Sequence, residues 1–225
     1  MAEKNGKGAL VVVSGARTAF GAYGGGLASQ TATDLAVAAS KGAIERAKID
    51  PGKVDEVVMG NVLQTSKDAI YLARHVGLRS GMKQESPGLI LNLLCGSGVK
   101  AVATAEMLID ADQAEVVLAG GTDSLSMTPY MSWGLRWGGR MGATEMFDGL
   151  DIRDTLPNAS MGETAENLVE RHKISREEQD KFALESQHRA KKAQDAGVFL
   201  DTFRIYNQGA TKCSYGHPGC ICEKY

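Results

Sequence analysis

No run in the chain approaches the roughly 18 consecutive apolar residues of a membrane-spanning helix, so a transmembrane reading is set aside. Charge of one sign is also lacking. Against 25 Lys and Arg stand 27 Asp and Glu, a net charge of −2 over 225 residues, and no basic excess points to nucleic acid. Residues 1–8 carry lysines and a glutamate where a secretory signal would be apolar. They also lack the Arg-rich, acid-free character of a cleaved mitochondrial presequence. The expected location is therefore cytoplasm or mitochondrial matrix, with no cleavable signal evident. No internal repeat is present. Cysteine is scarce, and three of the four, Cys213, Cys220 and Cys222, fall in the last thirteen residues.

What is there is 43% apolar residues in 225, enough for one sizeable core or two small ones. Strand and helix patterns alternate along the first half. Residues 9–14 read as a short aliphatic strand, 34–47 as an alanine-rich helix closing before Pro51, and 54–59 as a second strand. Asp68 is placed to cap a helix over 69–76, with Gly77 as its left-handed stop. An apolar strand up to Leu94, a helix over 99–109 and a strand over 115–119 follow. Such alternation predicts an α/β fold, a mostly parallel sheet with helices on both faces. From about Ser126 to Asn158 methionine, tryptophan, glycine and proline cluster without a period, as in a loop-rich insertion. Two helices follow, 162–172 and 176–196, the second opened by a capping box of Ser175 and Glu178.

Cys95 stands between the strand ending at Leu94 and the helix that follows. In such sheets reactive groups gather at the carboxyl ends of the strands. A helix N-terminus favours thiolate over thiol, and Gly96 and Gly98 let backbone N–H groups approach a developing oxyanion. This predicts a nucleophile; taken without context, a buried structural cysteine fits the same position. A helix terminus typically supplies 0.3–1 kcal/mol, less than the roughly 2 kcal/mol needed to half-ionise an ordinary thiol at pH 7. A nearby base is therefore required.

Asn92-Leu93-Leu94-Cys95-Gly96-Ser97-Gly98 resembles the nucleophile signature of thiolases, the acyl-CoA acetyltransferases. Ala119-Gly120-Gly121-Thr122-Asp123-Ser124-Leu125-Ser126 resembles their next glycine-rich motif. Arg17-Thr18-Ala19-Phe20-Gly21, Met59-Gly60-Asn61-Val62-Leu63-Gln64, Ala73-Arg74-His75-Val76-Gly77-Leu78 and Met161-Gly162-Glu163-Thr164-Ala165-Glu166-Asn167 stand where the family has counterparts. The likeness is greatest to the degradative, mitochondrial-type 3-ketoacyl-CoA thiolases and covers about residues 8–199. Leu93 replaces the arginine usual before this cysteine, and Asp123 and Leu125 replace the usual glutamate and methionine.

The resemblance implies a thiolase-like first α/β domain over 1–125, incomplete, and a loop domain with CoA-binding elements over 126–200. Residues 201–225 then form an atypical Cys-rich tail, and the second domain is missing. Cys95 is the implied nucleophile and carrier of an acyl-thioester in thiolysis of 3-ketoacyl-CoA, or in the reverse Claisen condensation. Leu150 and Met161 fall where apolar side chains touch coenzyme A; ordinary packing is the other account of both. Coenzyme A is a substrate, and no bound cofactor and no metal are implied. His75 and His172 lie on helical stretches without catalytic counterparts in the family and read as structural or surface residues. Gly216-His217-Pro218 matches a family tripeptide out of its context. The set Cys213, His217, Cys220 and Cys222 lacks the paired C-x-x-C of a zinc site and reads instead as a poorly packed tail.

The expected partners are CoA and acyl-CoA, with a homo-oligomer or association with full-length thiolase. The chain by itself is expected to be inactive. The alternatives are a truncated non-catalytic fragment paired with complete subunits and a 3-ketoacyl synthase of related fold.

Overall fold

The first helix begins at a residue built to cap it. Thr31 Oγ1 accepts from the Asp34 N–H at 3.0 Å, and Asp34 Oδ2 accepts from the Thr31 N–H at 3.3 Å, a reciprocal capping box. The helix, α1 (Ala32–Ala47), closes at Lys48 in the left-handed region, φ 56°. Its small buried side chains, Ala32, Ala36 and Ser40, allow close packing against its neighbours. The computed structural model that shows this describes residues 10–198 and divides into two compact units, one up to Met127 and one from Thr128.

In the first unit three strands, β1 (Glu56–Gly60), β2 (Gly88–Leu91) and β3 (Val117–Gly121), form a parallel sheet in the order β2-β1-β3. Central β1 is buried from Val57 to Gly60. Its side chains alternate between faces, as the pleat demands. Val57 and Met59 join a core with Ala36 and Val37 of α1 and with Leu72, Ala73 and Val76 of α2 (Leu72–Arg79). Gly60 meets the start of α3 (Ser97–Asp110) on the other face, so helices cover both sides of the sheet, as expected. Leu72, Val57, Val58 and Val76 are fully buried, each side chain contributing roughly 1.5–3 kcal/mol by leaving water. An Arg79–Asp34 ion pair at 2.7 Å ties α2 to α1.

Several sequence expectations need correction. Residues 10–14 are not a strand: they pair with no other described segment, line a cavity of about 470 Å³ together with β3, and Val11, Val12 and Val13 are exposed. Among the described residues nothing pairs with the outer edge of β3. The strand before Cys95 stops at Leu91 and is partly exposed rather than buried, because β2 lies at the edge of the three-stranded sheet. Asp68 makes no side-chain cap; a 3₁₀ turn, Ala69–Tyr71, intervenes before α2. Gly77 lies inside α2, where an added Cβ would come within 3.1 Å of Val57, and the left-handed glycine is Gly81, φ 91°. Gly77 is thus a packing glycine and not a stop.

The second unit holds a two-stranded antiparallel pair, β4 (Tyr130–Met131) with β5 (Phe147–Asp148), and two helices, α4 (Met161–His172) and α5 (Arg176–Asp195). Both helices open on capping boxes, Ser160 with Glu163 and Ser175 with Glu178. The second of these was legible in the sequence. No helix among the described residues is long and apolar enough to cross a membrane.

Candidate active site

Parallel pairing brings the carboxyl ends of the three strands into register: Gly60 lies opposite Leu91 on one side and Gly121 on the other. The next residues, Asn61, Asn92 and Thr122, therefore emerge side by side. Asn61 N–H still donates to Leu91 O at 3.1 Å, and Thr122 N–H to Gly60 O at 3.0 Å. Three residues past Asn92 comes Cys95, exposed and the one free cysteine among the described residues.

The turn bearing Cys95 is held by its neighbours. Asn92 Oδ1 accepts from the Leu94 N–H at 2.9 Å, and its Nδ2 donates to Val62 O at 3.1 Å. Buried Ser97 accepts from the Leu93 N–H at 2.9 Å and donates from Oγ to Leu94 O at 2.6 Å. Between these clamps Leu94 takes φ 49°, the left-handed region that a bulky residue enters only when its surroundings impose it. Gly96 and Ser97 N–H groups bond back to Leu93 O and Leu94 O at 3.0 Å, and α3 begins at Ser97. Cys95 thus immediately precedes the helix cap, as its sequence position predicts. Gly60 allows this approach: a Cβ there would stand 2.8 Å from Ser97 Cβ and 2.9 Å from its carbonyl carbon.

Leu93, the replacement for the family's arginine, is exposed, so the Ser97 hydroxyl and the Asn92 amide brace the turn. Neither role was read from the sequence. A polar residue directly following an aliphatic strand was the signal available for Asn92, and equally for Asn61.

Behind the turn sits a second cluster the sequence reading did not assemble. Asp123 Oδ1 accepts from Asn61 Nδ2 at 2.9 Å and from the Val62 and Leu63 N–H groups at 3.0 Å each. Although Asp123 as a residue is exposed, protein surrounds this side of its carboxyl. Desolvation raises its pKa above the ordinary carboxylate value, against the lowering effect of the Leu63 and Val62 donors. Asn61 also donates to Thr122 O at 2.9 Å.

His75, on α2, stacks on Tyr71 with ring centroids 5.7 Å apart and lies 3.6 Å from Asp68. His172 is the exposed last residue of α4. Among the described residues no side chain hydrogen-bonds the Cys95 thiol, and no cluster of three or more His, Cys, Asp or Glu is arranged to hold a metal. Leu150 and Met161 both belong to the second unit. Leu150 is half-buried in a turn closed by its own N–H to Asp148 Oδ1, and Met161 is exposed at the first position of α4. Cys213, His217, Cys220 and Cys222 lie outside the described residues.

Fold and site together define an α/β protein with a cysteine turn at the carboxyl edge of a parallel sheet covered on both faces. The family model described as thiolase, N-terminal domain, matches residues 10–208, and the chain belongs to the thiolase family. It is similar to human mitochondrial 3-ketoacyl-CoA thiolase, 51% identical over 195 residues, which are 85% of this chain and 49% of that protein. The crystal structure of that human enzyme in complex with CoA superposes with a TM-score of 0.81 at 50% identity, over 85% of this chain and 49% of the other. The acetyl-CoA acetyltransferase of Bacillus anthracis gives a TM-score of 0.83 at 36% identity, over 90% and 52%. The chain spans about half the length of the relatives it matches.

Proposed function

We propose that the chain carries the nucleophilic half of a thiolase reaction, with Cys95 as the acyl acceptor. The observation behind this is the Cys95 turn: an exposed thiol immediately ahead of a helix N-terminus, in a turn clamped on both sides. In thiolysis the Cys95 thiolate attacks the 3-keto carbonyl of an acyl-CoA. The bond between C2 and C3 breaks, and its electron pair leaves with acetyl-CoA, to be protonated there. The acyl group, now a thioester on Cys95, passes to a second CoA thiolate as Cys95 is released. The reverse direction is a Claisen condensation. Both the acyl-CoA and CoA are substrates.

Leu150 and Met161 are proposed as apolar contacts for CoA, within a loop domain over 126–200. The complex of the human relative with CoA supports such binding in the family. The location proposed is the mitochondrial matrix, after the similar mitochondrial enzymes, with cytoplasm as the second reading.

Alone, the chain is proposed not to turn over. An activating base and an acid for the departing carbanion must act together with the nucleophile, and losing one member of such a unit removes factors of roughly 10³ to 10⁶. None is bonded to Cys95 among the described residues. The outer edge of β3, unpaired among the described residues, and the exposed Val11, Val12 and Val13 favour the second reading, a fragment that associates with complete thiolase subunits or with itself.

Incubation with acetoacetyl-CoA, followed by mass spectrometry of the Cys95 peptide, tests the proposal. A slow, single-turnover acyl adduct that vanishes in Cys95→Ala is the expected result. An adduct confined to Cys213, Cys220 or Cys222 overturns the assignment, and steady loss of the substrate enolate absorbance overturns the inactivity.

A further inference from the structure

The loops that follow the three parallel strands are tied to one another by two side chains, Asp123 and Asn92. Asp123, after β3, gathers the Val62 and Leu63 N–H groups and the Asn61 amide, all belonging to the loop after central β1. That loop's Val62 carbonyl accepts from Asn92 Nδ2, and Asn92 Oδ1 in turn accepts from the Leu94 N–H, the residue before the cysteine. The path from Asp123 to the Cys95 turn therefore runs through hydrogen bonds of 2.9 to 3.1 Å, with no gap between them. β1 lies between β2 and β3, and its loop bonds to both of the others.

The turn itself needs such support. Leu94 holds φ 49°, a conformation that a residue with a side chain keeps only while its surroundings impose it. Within the turn, Ser97 clamps the helix side, and the bond from the Leu94 N–H to Asn92 holds the strand side. If the strand side moves, Cys95 leaves its place immediately ahead of the α3 cap, and the advantage of a helix N-terminus to a thiolate is lost.

We propose that Asp123 is a positioning residue for Cys95, acting through the Val62–Leu63 loop and the Asn92 side chain to hold the nucleophile at the start of α3. The proposal rests on the reading of Cys95 as nucleophile given above. Asp123 touches no reacting atom; it fixes the loop on which the cysteine's geometry depends.

The test is iodoacetamide alkylation of the full chain at limiting dose between pH 6 and 9, with the Cys95 peptide quantified by mass spectrometry and folding checked by circular dichroism. Asp123→Ala and Asn92→Ala are expected to slow labelling of Cys95 at pH 7 by about two- to fivefold, the loss of a helix-terminus contribution. They should also move the pH of half-maximal rate upward. Asp123→Glu, which keeps the carboxylate, is expected to recover most of the rate. Asn92 is exposed, so its alanine variant remains informative if Asp123→Ala fails to fold. Unchanged rate and unchanged pH profile in a folded variant, with Cys95 reactive in the parent chain, overturn the positioning role alone. A parent Cys95 no more reactive than a free thiol overturns the reading of the site and this role with it.

Discussion

The two units of the chain are stabilised by different means. In the first, α1, α2 and α3 enclose a sheet whose central strand is buried almost throughout, and Leu72, Val57, Val58 and Val76 have no contact with water. In the second, no residue from Thr128 to Val198 is buried, and Phe182, Leu184 and Leu168 are exposed on α4 and α5. Those helices are specified locally. Each has a capping box, and α5 adds the i,i+4 pairs Arg176–Asp180 and Arg189–Glu185. Exposed pairs of this kind contribute only about 0.3–0.5 kcal/mol each. The difference shows that helical structure can be written into a segment that has no core of its own, whereas a reactive turn such as that of Cys95 stands on a packed sheet.

The largest effect that would sharpen this contrast is expected from Leu72→Ala. Removing a side chain buried between α1 and the sheet costs roughly 2–5 kcal/mol, a large share of a domain's stability. Phe182→Ala on exposed α5 is expected to cost less than about 0.5 kcal/mol. Hydrogen exchange read segment by segment checks both. Equal losses in the two variants would erase the distinction between the units.

Gly60→Ala comes next. A Cβ 2.8 Å from Ser97 must displace the start of α3, at a cost of roughly 1–3 kcal/mol. Thermal denaturation measures the cost, and slower alkylation of Cys95 should accompany it. A smaller change is expected from Ser175→Ala, which removes the α5 cap for about 1 kcal/mol and frays that helix while leaving the Cys95 turn unaltered. Exchange at Glu178 and its neighbours reports it.

The pH dependence divides two carboxylates of the first unit. Asp55 accepts from the Val116 and Glu115 N–H groups, which hold its pKa below the ordinary value. The unfolded chain binds that proton more readily, so the stabilisation is present above the ordinary carboxylate range and is lost as pH falls through the folded value. Asp123 has the opposite sign: desolvation raises its pKa, so its contribution is full at low pH and is lost as pH rises through the folded value. Asp55→Asn should flatten the acid limb of a urea-denaturation series between pH 3 and 6, and Asp123→Asn should steepen it. Identical slopes in both variants would contradict the assigned signs.

Much of the helical structure was legible in the sequence because its signals are local. The capping box of α5 and the alanine-rich α1 needed only neighbouring residues to specify them. Strands were legible in kind and order but not in extent. Residues 10–14 have the composition of a strand and are not one, since a strand exists only where a partner edge lies within hydrogen-bonding distance. Gly77 looked like a helix stop because its role, clearing Val57 on another element, is invisible along the chain.

By itself the sequence determined the α/β class, the family and the position of Cys95 between a strand and a helix, because each of these follows from residue order and short-range spacing. Only the tertiary structure decided what surrounds that cysteine. Asn61, Asn92 and Asp123 are separated by up to 62 positions and become neighbours because parallel pairing in the order β2-β1-β3 aligns the carboxyl ends of the strands. A hydrogen bond across that distance depends on the register of strands that the intervening helices bury, and no local pattern encodes it.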